Sequence, residues 1–249
     1  EPTLNRGAKP SLLITGTSSE PLDDAKAWAW AKAKGVTSLA FVDSWVNYRA
    51  RFSDSHGAWL STLPDLVAVI DDPSAQRLID AGMAPERLRV VGSPAFDAVC
   101  ARRSPLPDRE QGISLLFASQ PLAGRNFPAP WDEHRALDML LEVLEGLDLE
   151  VPITLTLRRH PAEAHDVFDA RLKASRAGAT RLKVDTNEDR LDTLSAAHVV
   201  LGVVSMVLVE AQWLGRPALS IQPGSLAPSD LLSLNKVPAV HAPSSLAQA

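Results

Sequence analysis

Cysteine is nearly absent. Cys100 is the only one in 249 residues, so the chain has no internal disulfide and no cysteine-based zinc site, which fits a reducing compartment. A basic excess is lacking too, with 25 Lys and Arg against 30 Asp and Glu and a net charge of −5. That balance gives no general attraction to nucleic acid or an anionic membrane, while leaving room for a local basic pocket. Long apolar runs are missing. The longest, Val199 to Val209, is broken by Gly202 and Ser205 and falls short of the roughly 20 residues that span a bilayer. No basic-then-apolar segment opens the chain as a secretory signal would. A cytoplasmic protein is expected, with peripheral membrane contact left open. Three nucleotide and hydrolase signatures are also wanting: a Walker A sequence, a GxSxG elbow and GxGxxG, the last of which argues against ordinary NAD binding. His134 and His165 lie on charged helical stretches without metal-ligand spacing, so no metal and no separate cofactor is expected.

What is present is the balance of an ordinary globular protein, 45% apolar and 22% charged. Short β runs alternate with longer helical runs, the mark of a parallel α/β sheet. Strands are expected at Ser11–Ser18, in "TSLAFVDSW", in "DLVAVID" and in "RLRVVGSPAFD", with helices in "EPLDDAKAWAWAKAKG" and "DPSAQRLIDAGM". "ARRSPLPDREQG" (101–112) then brings two prolines, five charges and no apolar periodicity, and reads as an interdomain linker. The alternation restarts at residue 113: "ISLLFASQPL", "PITLTLRRHP", "TRLKVDT", "VVLG" and "PALSIQPG" as strands, and helices in "DEHRALDMLLEVLEGL", from about Ala162 to Arg176, in "DRLDTLSAAH" and in "SMVLVEAQWLG". The expectation is two α/β domains, 1–100 and 113–249, facing a cleft. The chain begins at Glu1 and stops at "PSSLAQA", the first turn of a helix, so a fragment with an incomplete N-terminal domain is expected.

In such sheets ligands bind beyond the carboxyl ends of the strands. The first candidate there is "GVVSMVLVE". A strand ending at Gly202, a tight turn and a helix opened by Ser205 and Met206 place backbone N–H groups where a phosphate would sit. On that helix Glu210 has only apolar neighbours at i±3 and i±4: Met206, Val207, Trp213 and Leu214. An unpartnered carboxylate there is costly. Two partners answer the need, a vicinal diol that donates to both oxygens, or a buried arginine such as Arg216.

"LRRHPAE" gathers Arg158, Arg159 and His160 at a strand's carboxyl end, with Pro161 suited to a first helical position. A diphosphate would meet two guanidiniums, an imidazole and a helix N-terminus together. The plainer alternative is a solvated basic turn capped by His160. In "FVDSWVNYRARF", Asp43 closes an apolar strand, where a carboxylate is placed to act as general base toward a hydroxyl. Trp45, Asn47, Tyr48 and Arg49 follow, a mixture suited to sugar or base recognition, or simply to a loop packed by its own aromatics with Asp43 as a cap. Ser119 and Gln120, in "FASQPLAGRN", follow the first strand of the second block and should also face the ligand.

These stretches resemble the two-domain GT-B glycosyltransferases and their relatives, the UDP-N-acetylglucosamine 2-epimerases. "LITGTSSEPLDDAKAWAWAKAKGVTSLAFVDSW" looks like the second half of a GT-B acceptor domain, and "DLVAVIDDPSAQRLIDAGMAPERLRVVGSPAFD" is similar to the exit from it. "DTLSAAHVVLGVVSMVLVEAQWLGRPALSI" looks like the donor-site signature. The resemblance implies that Ser205 contacts the donor phosphate and Glu210 grips the donor ribose. "RRHP" is similar to the His-Pro motif of some bacterial sialyltransferases, which implies a phosphate contact for His160. The paired-acidic-Gly motif of those enzymes has no counterpart here. Val203, Val204 and Met206 stand where relatives carry small residues, and the acidic set of the epimerases is matched only at Asp43.

The implied function is metal-independent transfer of a sugar from a UDP- or CMP-linked donor to a carbohydrate or lipid-linked hydroxyl acceptor, in bacterial surface polysaccharide assembly. Asp43 and His160 are the expected catalytic groups. A nucleotide-sugar 2-epimerase or hydrolase, and a non-catalytic nucleotide-sugar-binding subunit, are the alternatives.

Overall fold

The computed structural model describes residues 10–18, 22–54, 56–110, 112–122, 129–148, 151–174, 180–224 and 229–249. It divides into two compact units, Glu1–Ser93 and Pro94–Ala249.

The first unit is a parallel sheet in chain order, β1 (Leu12–Thr15), β2 (Thr37–Val42), β3 (Leu66–Val69) and β4 (Leu88–Val90). Helix α1 (Leu22–Lys34) joins β1 to β2, and α2 (Asp72–Asp80) joins β3 to β4. Crossovers that all advance in one direction, each right-handed, put their helices on one face. The strand registers agree. Ala40, Val42, Val67 and Val69 share a buried face, and the Trp28 indole of α1 donates to Thr15 there at 2.9 Å. The opposite face carries Leu12, Ile14, Leu39, Phe41 and Leu66, all exposed or half-buried.

The second unit is a six-stranded parallel sheet built from β5 (Ile113–Ala118), β6 (Ile153–Arg158), β7 (Thr180–Val184), β8 (Val199–Gly202), β9 (Ala218–Ile221) and β10 (Ala239–Val240). Its order is β10-β9-β8-β5-β6-β7, the doubly wound order in which the direction of winding reverses between β5 and β8. Helices α3 (Pro94–Cys100), α4 (Glu133–Gly146), α5 (Asp169–Ala174), α6 (Arg190–Ser195), α7 (Met206–Trp213), α8 (Asp230–Leu234) and α9 (Pro243–Leu246) complete it. The core forms where continuous apolar strands, such as Leu155 and Leu157 of β6, meet the periodic face of α4, with Ala136, Leu137, Leu140, Val143 and Leu144 buried. Asp132 opens α4 by accepting the N–H groups of His134 and Arg135, both at 3.0 Å.

Three expectations change. The 101–112 stretch packs along the second unit: Arg102 pairs with Asp189 at 2.8 Å and with Asp192, and Arg216 donates to Ser104 Oγ at 2.5 Å and Pro105 O at 2.7 Å. Arg102, whose charge suggests solvation in the sequence, is paired instead with the start of α6, and the division falls between Ser93 and Pro94. The helix expected from Ala162 is reduced to α5, with turns from Pro161 to Phe168, so Pro161 does not open a helix. Residues 123–126 of the "FASQPLAGRN" stretch, 20–21 of the first expected helix and 175–176 of the Ala162–Arg176 helix lie outside the described residues.

Candidate nucleotide-binding site

The reversal point between β5 and β8 is lined by the two loops that leave them. After β8 the chain turns through Val203 and Val204, and Ser205 caps α7 by accepting the Val207 N–H at 3.3 Å. Glycine suits close packing at position 202: a Cβ there would lie a tight 3.1 Å from the Ala118 carbonyl oxygen and 3.4 Å from a methyl of Leu208. Gln120, after β5, accepts the Val204 N–H through its side-chain oxygen at 3.1 Å, which ties the two loops together. Met206 is half-buried as the first residue of α7.

The β6 end is braced from the same side. The Ser119 N–H donates to the Arg158 carbonyl at 2.9 Å, and its hydroxyl donates to Glu163 Oε1 at 2.6 Å. Glu163 Oε2 accepts the His160 N–H at 2.6 Å, while the Glu163 N–H donates to the His160 carbonyl at 3.0 Å. His160 Nδ1 accepts the Ala162 N–H at 3.1 Å. This is a variant of the capping box with histidine in the cap position: Glu163 reaches back to the His160 N–H, but the imidazole takes the Ala162 N–H, and the box closes on a turn instead of a helix. The capped-turn alternative is therefore realised at His160, whose ring is exposed. A cleft of about 300 Å³ opens beside it, lined by Arg158, Arg159, His160, Glu163, His165 and the Asp185–Glu188 loop.

The two arginines of this corner differ from expectation. Arg158 is turned into the fold, paired with Asp185 and donating to the Asn187 carbonyl at 3.0 Å and to Thr193 at 3.4 Å. Through Nη1 the guanidinium braces the β7 loop, while the residue also lines the cleft. Arg159 spans the turn, donating to the Glu163 carbonyl at 3.3 Å and meeting His165 Nδ1 at 3.1 Å.

Glu210 has an arginine partner, but it is Arg190 rather than Arg216. Arg190 Nε donates to Oε2 at 2.9 Å and Nη2 to Oε1 at 2.7 Å, a two-pronged pair that raises the guanidinium's hold on its proton. Glu210 is 7% exposed. Arg216 is buried against the 103–105 segment, and burial pushes its pKa down.

In the first unit, Asp43 is exposed and accepts from the buried Arg51 at 3.0 Å; Arg51 also donates to the Thr17 carbonyl and hydroxyl, each at 2.9 Å. Trp45 and Tyr48 do not present ring faces for stacking. Trp45 is 2% exposed and donates to Asp71 at 2.7 Å, and Tyr48 is buried with its hydroxyl 3.3 Å from that of Ser74. Their aromatic mass serves the loop core, because a strand end this apolar buries its neighbours. Asn47 is exposed in the left-handed region at φ 60°, and Arg49 lies over the Trp59 ring, 5.3 Å from its centroid.

Sequence reasoning missed three participants. Glu163 was signalled by the His160-x-x-Glu163 spacing, a capping-box pattern without the usual Ser or Thr. Glu133, buried in the first turn of α4, accepts the Leu122 N–H at 2.8 Å and so anchors the loop after Gln120. Arg190 carried no signal beyond its place after the capping Asp189. Among the described residues no cluster of three or more His, Cys, Asp or Glu side chains is arranged to hold a metal, and no helix is long and apolar enough to cross a membrane.

No protein-family model and no curated protein matches the sequence. Solved structures do match the fold. A Staphylococcus aureus MnaA–UDP structure is similar with a TM-score of 0.64 at 13% identity, over 96% of this chain and 66% of that one. A UDP-GlcNAc 2-epimerase from Neisseria meningitidis bound to UDP-GlcNAc gives 0.61 at 14%, over 96% and 67%. Acinetobacter baumannii MurG gives 0.56 at 15%, over 95% and 63%. The chain thus spans less than two thirds of the length of some of the structures it matches. Two parallel α/β sheets, four strands and six, with these neighbours give the chain a GT-B-like fold.

Proposed function

We propose that the second unit binds the nucleotide diphosphate of a nucleotide sugar and that the protein transfers the sugar to a hydroxyl of a carbohydrate or lipid-linked acceptor in surface polysaccharide assembly. The observation that carries this reading is the hydrogen-bonded joining of three strand-end loops at the reversal point, with Glu163 linking Ser119 to His160 and Gln120 holding Val204. Ligands of doubly wound sheets bind at that point. His160, Arg159 and the N-terminus of α7 supply positive potential for the departing diphosphate, with no metal called on. Arg190 holds the Glu210 carboxylate flat through one lone pair of each oxygen, which leaves the outer pair of each for two ribose hydroxyls. Asp43, held by Arg51, is the base toward the acceptor hydroxyl.

The test is a thermal-shift panel with UDP, CMP, GDP and TDP. A ligand of the folded state raises the melting point by mass action, and UDP or CMP is expected to do so. A flat response to all four would sink the nucleotide reading.

A second reading, 2-epimerisation of a UDP-sugar, is favoured by the likeness to structures of UDP-GlcNAc 2-epimerases. Incubation with UDP-GlcNAc followed by NMR separates the two. Inversion at C2 without an acceptor supports the epimerase, and UDP release that depends on an acceptor supports transfer. A third reading, a binding subunit that needs a catalytic partner, is motivated by the share of its neighbours that the chain spans and is excluded if this chain alone turns over.

A further inference from the structure

We propose that Glu163 is a positioning residue that sets the His160 ring for the anionic end of a bound nucleotide, an inference that rests on the nucleotide reading above. Its carboxylate spans two strand ends. Oε1 takes the Ser119 hydroxyl at the end of β5 and Oε2 takes the His160 N–H beyond β6, both at 2.6 Å, the lengths of charge-assisted bonds. The Glu163 N–H returns to the His160 carbonyl at 3.0 Å, so the turn is closed from both sides. No helix follows to hold it, since α5 begins only at Asp169.

The ring is set by the same closure. His160 Nδ1 accepts the Ala162 N–H at 3.1 Å, so the neutral imidazole carries its proton on Nε2. The exposed ring therefore offers a donor, which suits a phosphate oxygen. The Glu163 carboxylate holds the His160 end of that 160–162 contact, so removing it loosens the turn and scatters the ring. It also leaves the buried Ser119 hydroxyl and the His160 N–H without an acceptor.

The test is calorimetric titration of the full chain with UDP and with uridine. The variants are His160→Ala, Glu163→Ala, the double variant and Glu163→Gln. Wild type is expected to bind UDP more tightly than uridine. His160→Ala and Glu163→Ala should each weaken UDP roughly tenfold and leave uridine unchanged, the scale of one lost charge-assisted bond. The double variant should be no weaker than His160→Ala, because both changes remove one interaction. Glu163→Gln should stay within about twofold of wild type, since its amide oxygen can take the His160 N–H while the Ser119 hydroxyl turns to accept from the amide. If Glu163→Ala does not fold, Ser119→Ala replaces it, with a loss of roughly threefold expected from one arm of the brace. The positioning role is overturned if Glu163→Ala binds UDP like wild type, if it weakens UDP and uridine alike, or if its effect adds to that of His160→Ala. Wild type that binds neither ligand removes the nucleotide reading and this role together, whereas wild type that binds UDP with a silent His160→Ala removes this role alone.

Discussion

Met206, Val207, Trp213 and Leu214 around Glu210 signal that its carboxylate needs a partner, and the structure supplies Arg190 from another helix. Spacing along one helix is readable because i±3 and i±4 neighbours are fixed by geometry. Which arginine arrives from elsewhere depends on tertiary packing, and Arg216, nearer to Glu210 in sequence, is committed to Ser104 and Pro105. If the outer lone pairs of Glu210 serve a ribose, Glu210→Ala should weaken UDP roughly tenfold and erase any preference for UDP over 2′-deoxy-UDP, as the loss of hydrogen bonds to a charged group implies. A preference that survives the substitution in competitive titration would remove Glu210 from the site. Trp45 and Tyr48 teach the converse. Aromatic residues beside a strand end look alike in sequence whether they stack on a ligand or fill a loop, and only burial separates the two.

Elements were legible where apolar periodicity was long. The α4 stripe and its Asp132 cap, and the strands β5, β6 and β8, follow from pattern alone. The 162–168 stretch was not legible. Its cap signals are present, but Glu163 spends its carboxylate on Ser119 as well as on the turn, and the helix starts a full two turns late. The 101–112 stretch was misleading for a related reason, since its Arg102 finds acidic partners at the start of α6. That attachment has a pH signature. The Arg102 hydrogen bond holds the Asp189 carboxyl below the usual carboxylate range. A carboxyl depressed in the fold adds stability above that range and loses it as pH falls through the depressed value. The melting-point gap between wild type and Arg102→Ala should therefore be present near neutrality, small because the pair is exposed, and close on acidification. A gap unchanged in acid would mean that packing, not charge, makes the tie. Where the same stretch enters β5, Gly112 has φ 103° and a Cβ would fall 2.3 Å from the Pro152 carbonyl oxygen. Gly112→Ala should cost about 3 kcal/mol in urea denaturation, the sum of backbone strain and overpacking.

At the scale of the molecule, strand–helix alternation foretold two parallel sheets, and the order of the second sheet then located the reversal point that the strand-end motifs line. The exact place of division was hidden, because composition cannot say which side a charged stretch will pack against. Two compact units predict two unfolding steps. With UDP present, calorimetry should show one of them moving to higher temperature and the other staying in place, since a ligand stabilises only the part it binds. Both moving together would assign nucleotide contacts to each unit.

Among the described residues the first sheet, with its helices gathered on one side, ends at β1 on Leu12 and Ile14, 43% and 65% exposed. Oily side chains beside a rim of backbone groups make a seam where molecules adhere. Concentrated samples should accordingly cluster through this seam, and Ile14→Lys should keep them dispersed in light-scattering measurements without touching the nucleotide corner.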